Sequence, residues 1–172
     1  IIKKFRNSIQ LRTILIKKDS QTFEPVNGHY VQKPNSLNTQ FFQVRYAFTN
    51  LRALDPYSLD LDLQQGSKHL KISSTFNYRF SYKMPKKGID FRLFFGAFAV
   101  NNTTTENYNF RMSGWNGKDD YLFDGIFPGR SQSEGFWSQQ TWLQEGAFKT
   151  PTPLGQTGKW LTSLNVNADL PI

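Results

Sequence analysis

Residues 70–83 alternate with almost no errors: Leu70, Ile72, Ser74, Phe76, Tyr78, Phe80 and Tyr82 stand at even positions, and Lys71, Ser73, Thr75, Asn77, Arg79, Ser81 and Lys83 at odd ones. Successive side chains of a strand point to opposite faces, so a period of two predicts a β-strand with one apolar and one polar face. Met84-Pro85-Lys86-Lys87-Gly88 follows, and its Pro and Gly predict a turn at 84–88. The alternation then resumes with Ile89, Phe91, Leu93, Phe95, Ala97 and Ala99 on one face. Two alternating runs on either side of such a turn predict an antiparallel hairpin. Toward its end the second run is apolar on both faces, through Phe94, Phe98 and Val100. Bulk is therefore expected on both sides there, with Gly96 letting a neighbour approach the backbone closely.

The same period recurs elsewhere. Phe42, Val44, Tyr46 and Phe48 alternate against Gln43, Arg45 and Thr49, and Tyr57, Leu59, Leu61 and Leu63 against Ser58, Asp60, Asp62 and Gln64. Asp55-Pro56 and Gln65-Gly66 punctuate these two runs. Phe5, Ile9, Leu11 and Leu15 set against Arg6, Ser8, Gln10 and Arg12 predict an amino-terminal strand, and Trp160, Thr162, Leu164, Val166 and Ala168 predict a carboxy-terminal one. The polar stretch 21–40, with Pro25, Gly28 and Pro34, predicts a long loop at about 17–40. A second long loop is expected at about 101–135, from Asn101-Asn102-Thr103-Thr104-Thr105 through Ser113-Gly114-Trp115-Asn116-Gly117-Lys118, with room for one short strand. Loops of that length are uncommon in compact domains unless they are functional or disordered. No fixed-period repeat and no convincing helix is present, so the expected fold is a single all-β, antiparallel domain over residues 1–172.

Composition sharpens this. Phe, Tyr and Trp make up 16% of the 172 residues against 38% for all hydrophobic types, an aromatic bias that favours strands. The formal charge of +8 would suit an acidic partner, but Lys3-Lys4, Lys17-Lys18 and Lys86-Lys87 are scattered pairs without a basic run, and no nucleic-acid partner is expected. With no Cys, disulfide and thiolate chemistry are excluded. No run of 18 apolar residues marks a transmembrane helix, whereas a membrane barrel, whose strands alternate, stays open. The start at Ile1-Ile2-Lys3-Lys4, without Met or signal-peptide order, suggests a piece of a larger precursor.

Candidate chemistry is sparse. His29 and His69 sit outside any His-Glu-x-x-His pattern and read as solvated residues of a loop and a strand start, so neither a metal nor another cofactor is expected. Asp119 with Asp120, or Asp124 with Glu134, offers carboxylates in a loop, where sequence spacing does not fix separation in space. Asp60 and Asp62 read as the wet side of an amphipathic strand. No nucleophile elbow, phosphate-binding loop or dinucleotide fingerprint occurs, so the chain itself is not expected to be an enzyme. Trp115, Trp137, Trp142 and Trp160 lie among Asn, Gln and Asp, which suits a sugar-stacking platform, an interfacial aromatic belt or plain core. Trp115, Asp119, Asp120, Trp137 and Trp142 are the candidate loop contacts.

Strands of nine to eleven residues with an aromatic-rich apolar face and turns of unequal length are the pattern of outer-membrane β-barrels. On that reading Leu70, Ile72, Phe76, Tyr78, Phe80, Tyr82, Phe91, Leu93 and Phe95 face lipid, with Lys83, Lys86 and Lys87 at headgroup level. Asp55-Pro56-Tyr57-Ser58, Phe76-Asn77-Tyr78, Lys87-Gly88-Ile89-Asp90-Phe91-Arg92, Gly129-Arg130 and Gly155-Gln156-Thr157 add to this. Together they resemble the carboxy-terminal barrel-like region of large outer-membrane proteins that carry a gluzincin (aminopeptidase N-like) metallopeptidase domain. The resemblance spans roughly residues 40–172. It implies an anchor segment of a surface protein in a bacterial outer membrane, partnered by outer-membrane lipid and by other chains or segments completing the barrel. The zinc-binding motif of that family is absent here, so no catalytic residue carries over. The ending Leu170-Pro171-Ile172 departs from the aromatic terminus usual for such barrels, and closing strands are expected to lie elsewhere.

The expected fold is thus part or all of a transmembrane β-barrel. The alternatives are a soluble β-sandwich, periplasmic or secreted, that binds carbohydrate or protein, and an accessory domain of an enzyme. Burial separates barrel from sandwich: lipid-facing aromatics stay exposed when no bilayer is present, whereas a sandwich buries Phe76, Tyr78 and Phe80 and leaves Lys71, Asn77 and Arg79 in water.

Overall fold

The structure, a computed structural model, describes residues 4–26, 29–82, 87–103, 108–113, 144–148 and 154–169. The alternating runs become strands: β1 (Phe5–Val26), β2 (His29–Asn50), β3 (Tyr57–Gly66), β4 (His69–Ser81) and β5 (Gly88–Asn101), followed by the two-residue strands β6 (Phe110–Arg111) and β7 (Gln156–Thr157), then β8 (Trp160–Ala168). Six of them form one antiparallel sheet in the order β1-β2-β3-β4-β5-β8, while β6 pairs with β7. The sheet is open: among the described residues, β1 and β8 are each paired on one side alone.

The predicted hairpin forms in the expected register, with Phe80 opposite Ile89, Phe76 opposite Leu93 and Ile72 opposite Ala97. Gly88, read as part of the turn, is already the first ladder residue, opposite Ser81. A Cβ on Gly88 would lie 2.3 Å from the carbonyl oxygen of Phe80, so only glycine lets the two strands close there. A register shift between Leu70 and Lys71 marks a bulge at the other end of the pair.

The register carries the two faces across the whole sheet. One row runs Ile9, Tyr46, Leu61, Ser74, Phe95, Thr162, and the next runs Asn7, Phe48, Leu59, Phe76, Leu93, Leu164. Because every pairing is antiparallel and in step, six separate alternations merge into one apolar face and one polar face.

The loop expected at about 17–40 is corrected. Residues 17–26 and 29–40 belong to β1 and β2, paired residue by residue from Lys17 opposite Asn38 to Val26 opposite His29. β3 ends opposite Phe41, so this part of the hairpin extends past its neighbours as a two-stranded ribbon. Such a ribbon has solvent on both faces and needs no apolar alternation, which is why its sequence lacks the strand signal. Pro25 and Pro34 are admissible because both strands are edges there. Of the loop expected at about 101–135, Phe110–Arg111 forms the short strand β6, while residues 104–107 and 114–135 lie outside the described residues.

For orientation, the lower end of the sheet is taken as the end with the 51–56 and 82–87 links. The upper end carries the 67–68 link and the start of the excursion from β5 to β8, whose described residues 108–113 and 144–148 lie over the polar face.

Candidate functional site: an outward apolar face and a packed polar face

Burial is inverted relative to a protein folded around an oily core. Among the described residues the buried hydrophobic side chains are Phe41, Phe94, Phe110 and Ala147, and none belongs to the continuous apolar face. The buried polar ones are Gln43, Asn50, His69, Lys71, Ser81, Ser113 and Ser163.

All nine residues expected to face lipid share the apolar face. Ile72, Phe76, Phe80, Tyr82, Leu93 and Phe95 are exposed, with Phe76 at 37% and Phe80 at 47%, and Leu70, Tyr78 and Phe91 are half-buried by neighbours on the same face. Ile9, Leu11, Leu61, Leu63, Trp160, Leu164 and Val166 extend it across the remaining strands. Six strands at ~4.8 Å spacing and ~30 Å of strand give an apolar surface on the order of 850 Å², larger than the patch a monomer usually leaves in water. Toward the lower end it becomes aromatic. Phe48 and Tyr57 have ring centres 5.7 Å apart, Tyr57 and Phe76 6.3 Å, Tyr78 and Phe91 6.3 Å, and Phe80 and Tyr82 6.3 Å.

The polar face is packed and paired. Arg12 donates from Nε to the Gln43 side-chain oxygen at 2.8 Å, Gln43 donates to Asp62, and Arg45 pairs with the same Asp62 oxygen at 3.2 Å. Asn77 donates to Ser58 at 3.1 Å, and Arg79 binds Asp90 at 2.8 Å and Asp169 at 2.6 Å. Asp62, read as the wet side of a strand, is therefore corrected: its side chain is only 14% exposed, inside a polar layer spanning three strands.

Over the upper half of this face lie the described residues 108–113 and 144–148 of the β5–β8 excursion. Phe110 is fully buried, with ring centres 5.9 Å from Phe94 and 5.0 Å from Phe98. A Cβ on Gly96 would stand 2.4 Å from the Phe110 ring, so the close approach expected at this glycine is made by Phe110. The Lys71 ammonium sits 4.3 Å from the centre of the same ring and 2.8 Å from a carboxylate oxygen of Glu145. The other oxygen of Glu145 accepts the Arg111 backbone N–H at 2.5 Å, and its carbonyl accepts Arg92 at 2.8 Å and the Ser163 hydroxyl at 3.3 Å. Below this turn an open cavity of about 980 Å³ is lined by Arg79, Asp90, Arg92, Asn77, Ala147 and Phe148 among others.

His69 is a second correction. It was expected to be solvated, yet it is buried, its ring stacked 4.9 Å from Tyr108 and tilted 5.7 Å from Phe41. Gly66 makes room for it, since a Cβ there would fall 2.4 Å from the imidazole. The cover comes from the excursion, which no local pattern around His69 announces. His29 is exposed at the end of the ribbon.

Trp115, Asp119, Asp120, Trp137 and Trp142 lie outside the described residues, as do Asp124 and Glu134. The fourth tryptophan, Trp160, stands on the apolar face, 64% exposed. Among the described residues no three His, Asp or Glu side chains come together as metal ligands. The chain is expected to retain no stoichiometric zinc after dialysis, measured by elemental analysis; retained zinc that disappears on replacing His29 or His69 would overturn this. Lys71, Arg92, Phe110 and Glu145 form a cluster that sequence reasoning did not assemble. Alternation assigns Lys71 to the polar face, but nothing local pairs it with a residue 74 positions away.

Comparison with known proteins matches no protein family, no curated protein and no solved structure.

Proposed function

We propose that this chain is a stretch of outer-membrane β-barrel wall whose role is to anchor a larger surface protein, with its apolar face against lipid and its polar face toward the lumen. The observation that carries the reading is the inversion itself: a wide apolar face left open, backed by a face of paired, part-buried charges. In water this wastes the main stabilising term of a β domain, whereas in lipid it satisfies both solvents at once. Dimensions support it as well. At ~3.4 Å per residue, Leu70 to Phe80 measures about 34 Å along the strand, or about 26 Å at a tilt of ~40°, close to the apolar band of such barrels. The aromatic cluster at the lower end then lies at one membrane interface. A sandwich would need a second sheet over Phe76 and Phe80, and none lies there among the described residues. The short strings that resemble those of peptidase-bearing outer-membrane proteins extend the proposal to a parent whose zinc peptidase domain lies outside this chain.

The absence of Cys makes a clean test, because any single introduced thiol is the only one. Spin labels at Ile72→Cys and Phe80→Cys in the lipid-reconstituted protein should be accessible to dissolved oxygen and shielded from a water-soluble nickel complex. Labels at Thr75→Cys and Asn77→Cys should not share that lipid-phase signature. A protein that remains in the aqueous phase without detergent, with all four labels open to nickel, would sink the anchor reading.

A further inference from the structure

Taking the barrel reading as its basis, we infer that the turn at residues 144–148 is the latch of an internal plug, which closes the lumen and makes this wall part of an anchor rather than of an open pore. Glu145 is bound from four directions: its carboxylate by Lys71 and by the Arg111 amide, its carbonyl by Arg92 and Ser163. Three of these partners, Lys71 on β4, Arg92 on β5 and Ser163 on β8, belong to the wall, while Arg111 belongs to the excursion. One residue thus joins the plug to three adjacent strands.

The backbone is shaped for the purpose. Glu145 and Ala147 both have positive φ, at 46° and 57°, a conformation that side-chain-bearing residues adopt only when their surroundings enforce it. Between them Gly146 is buried, donates to the Arg111 carbonyl at 3.0 Å and accepts from Asn165 at 3.2 Å; a Cβ there would stand 2.3 Å from the Met112 oxygen. Phe148 donates to Met112 at 3.0 Å, so the latch is tied to the segment that carries Phe110. Phe110 in turn fills the hollow over Gly96, and Tyr108 covers His69 and Phe41 above it. The described residues 108–113 and 144–148 therefore pack their side chains against the upper part of the polar face, and Ala147 and Phe148 line the cavity beneath them. A flexible loop lying over a pore mouth would not be held by a buried ammonium, a guanidinium and a hydroxyl of the wall. The closure is electrostatic at its centre, so neutralising one partner should loosen it while leaving the strand ladder intact.

The test is ion flux through the full protein in planar lipid bilayers, with a heat-modifiable gel band as a separate measure of barrel formation. The wild type should insert and stay silent. Glu145→Gln and Lys71→Met should raise conductance at least tenfold, Ser163→Ala should raise it less, and Arg45→Gln, which alters a wall pair away from the latch, should stay silent. An inserted wild type that conducts as an open pore, or latch variants that form heat-modifiable barrels yet remain silent, would overturn the plug while leaving the anchor standing. Failure of the wild type to insert or to show a heat-modifiable band would remove the anchor reading and the plug with it. Ser163→Ala, which deletes one hydroxyl, keeps the test decisive should the charge variants fail to fold.

Discussion

Phe95→Arg should cost the protein about 2–4 kcal/mol of folding stability in lipid vesicles, as expected of a guanidinium placed near the middle of a lipid-facing strand. Phe95 lies in the central row of the apolar face, between Ser74 and Thr162, and is already 49% exposed without a bilayer. That exposure makes the experiment discriminating. A substitution on the open surface of a water-soluble protein usually changes stability by about 0.5 kcal/mol or less. Asn77→Ala, on the polar face, deletes one hydrogen bond to Ser58 and should cost only about 1 kcal/mol. Denaturant titration of vesicle-reconstituted protein measures both, and equal small losses would show that the apolar face does not meet lipid.

Phe110→Ala should produce a loss of similar size for an unrelated reason. Its ring is fully buried between Phe94, Phe98, the Lys71 ammonium and the bare backbone of Gly96, and emptying such a site typically costs about 3–5 kcal/mol. The partner substitution supplies a stricter check. Gly96→Ala puts a methyl where the Phe110 ring now lies and should cost about 1–3 kcal/mol from overpacking. In the Phe110→Ala background the same change should be nearly harmless, because the atom it struck is gone. A double-mutant cycle without coupling would show that the two residues do not touch.

Much of this arrangement was legible in the sequence because alternation is a direct record of strand geometry. The period of two at residues 70–83 and 89–99 yielded both strands of the hairpin, and the doubled apolarity at Phe94 and Phe98 with Gly96 announced a partner on the second face. What alternation does not encode is which face turns outward, since a sandwich and a membrane wall write the same pattern; the burial of Lys71 and the exposure of Phe80 are what support the proposed wall. The ribbon of β1 and β2 was missed for the complementary reason, as a strand wet on both sides has no pattern to show. Asp62 and His69 were taken for surface residues because their cover comes from Gln43 and Arg45 on another strand, and from Tyr108 far along the chain. Glu145, in a segment without periodicity, carried no signal of its own.

The open sheet also limits how the proposed barrel can be completed. Its six strands alternate in direction without exception, so β1 and β8 run opposite to each other. Any antiparallel set inserted between those two edges must begin opposite to β8 and end opposite to β1, which only an even number of strands achieves. Six is below the eight strands of about the smallest membrane barrels, so a closed barrel needs at least two further strands. A single added strand would leave one seam parallel. Parity therefore restricts whatever completes the proposed wall to an even number of strands, whichever polypeptide supplies them.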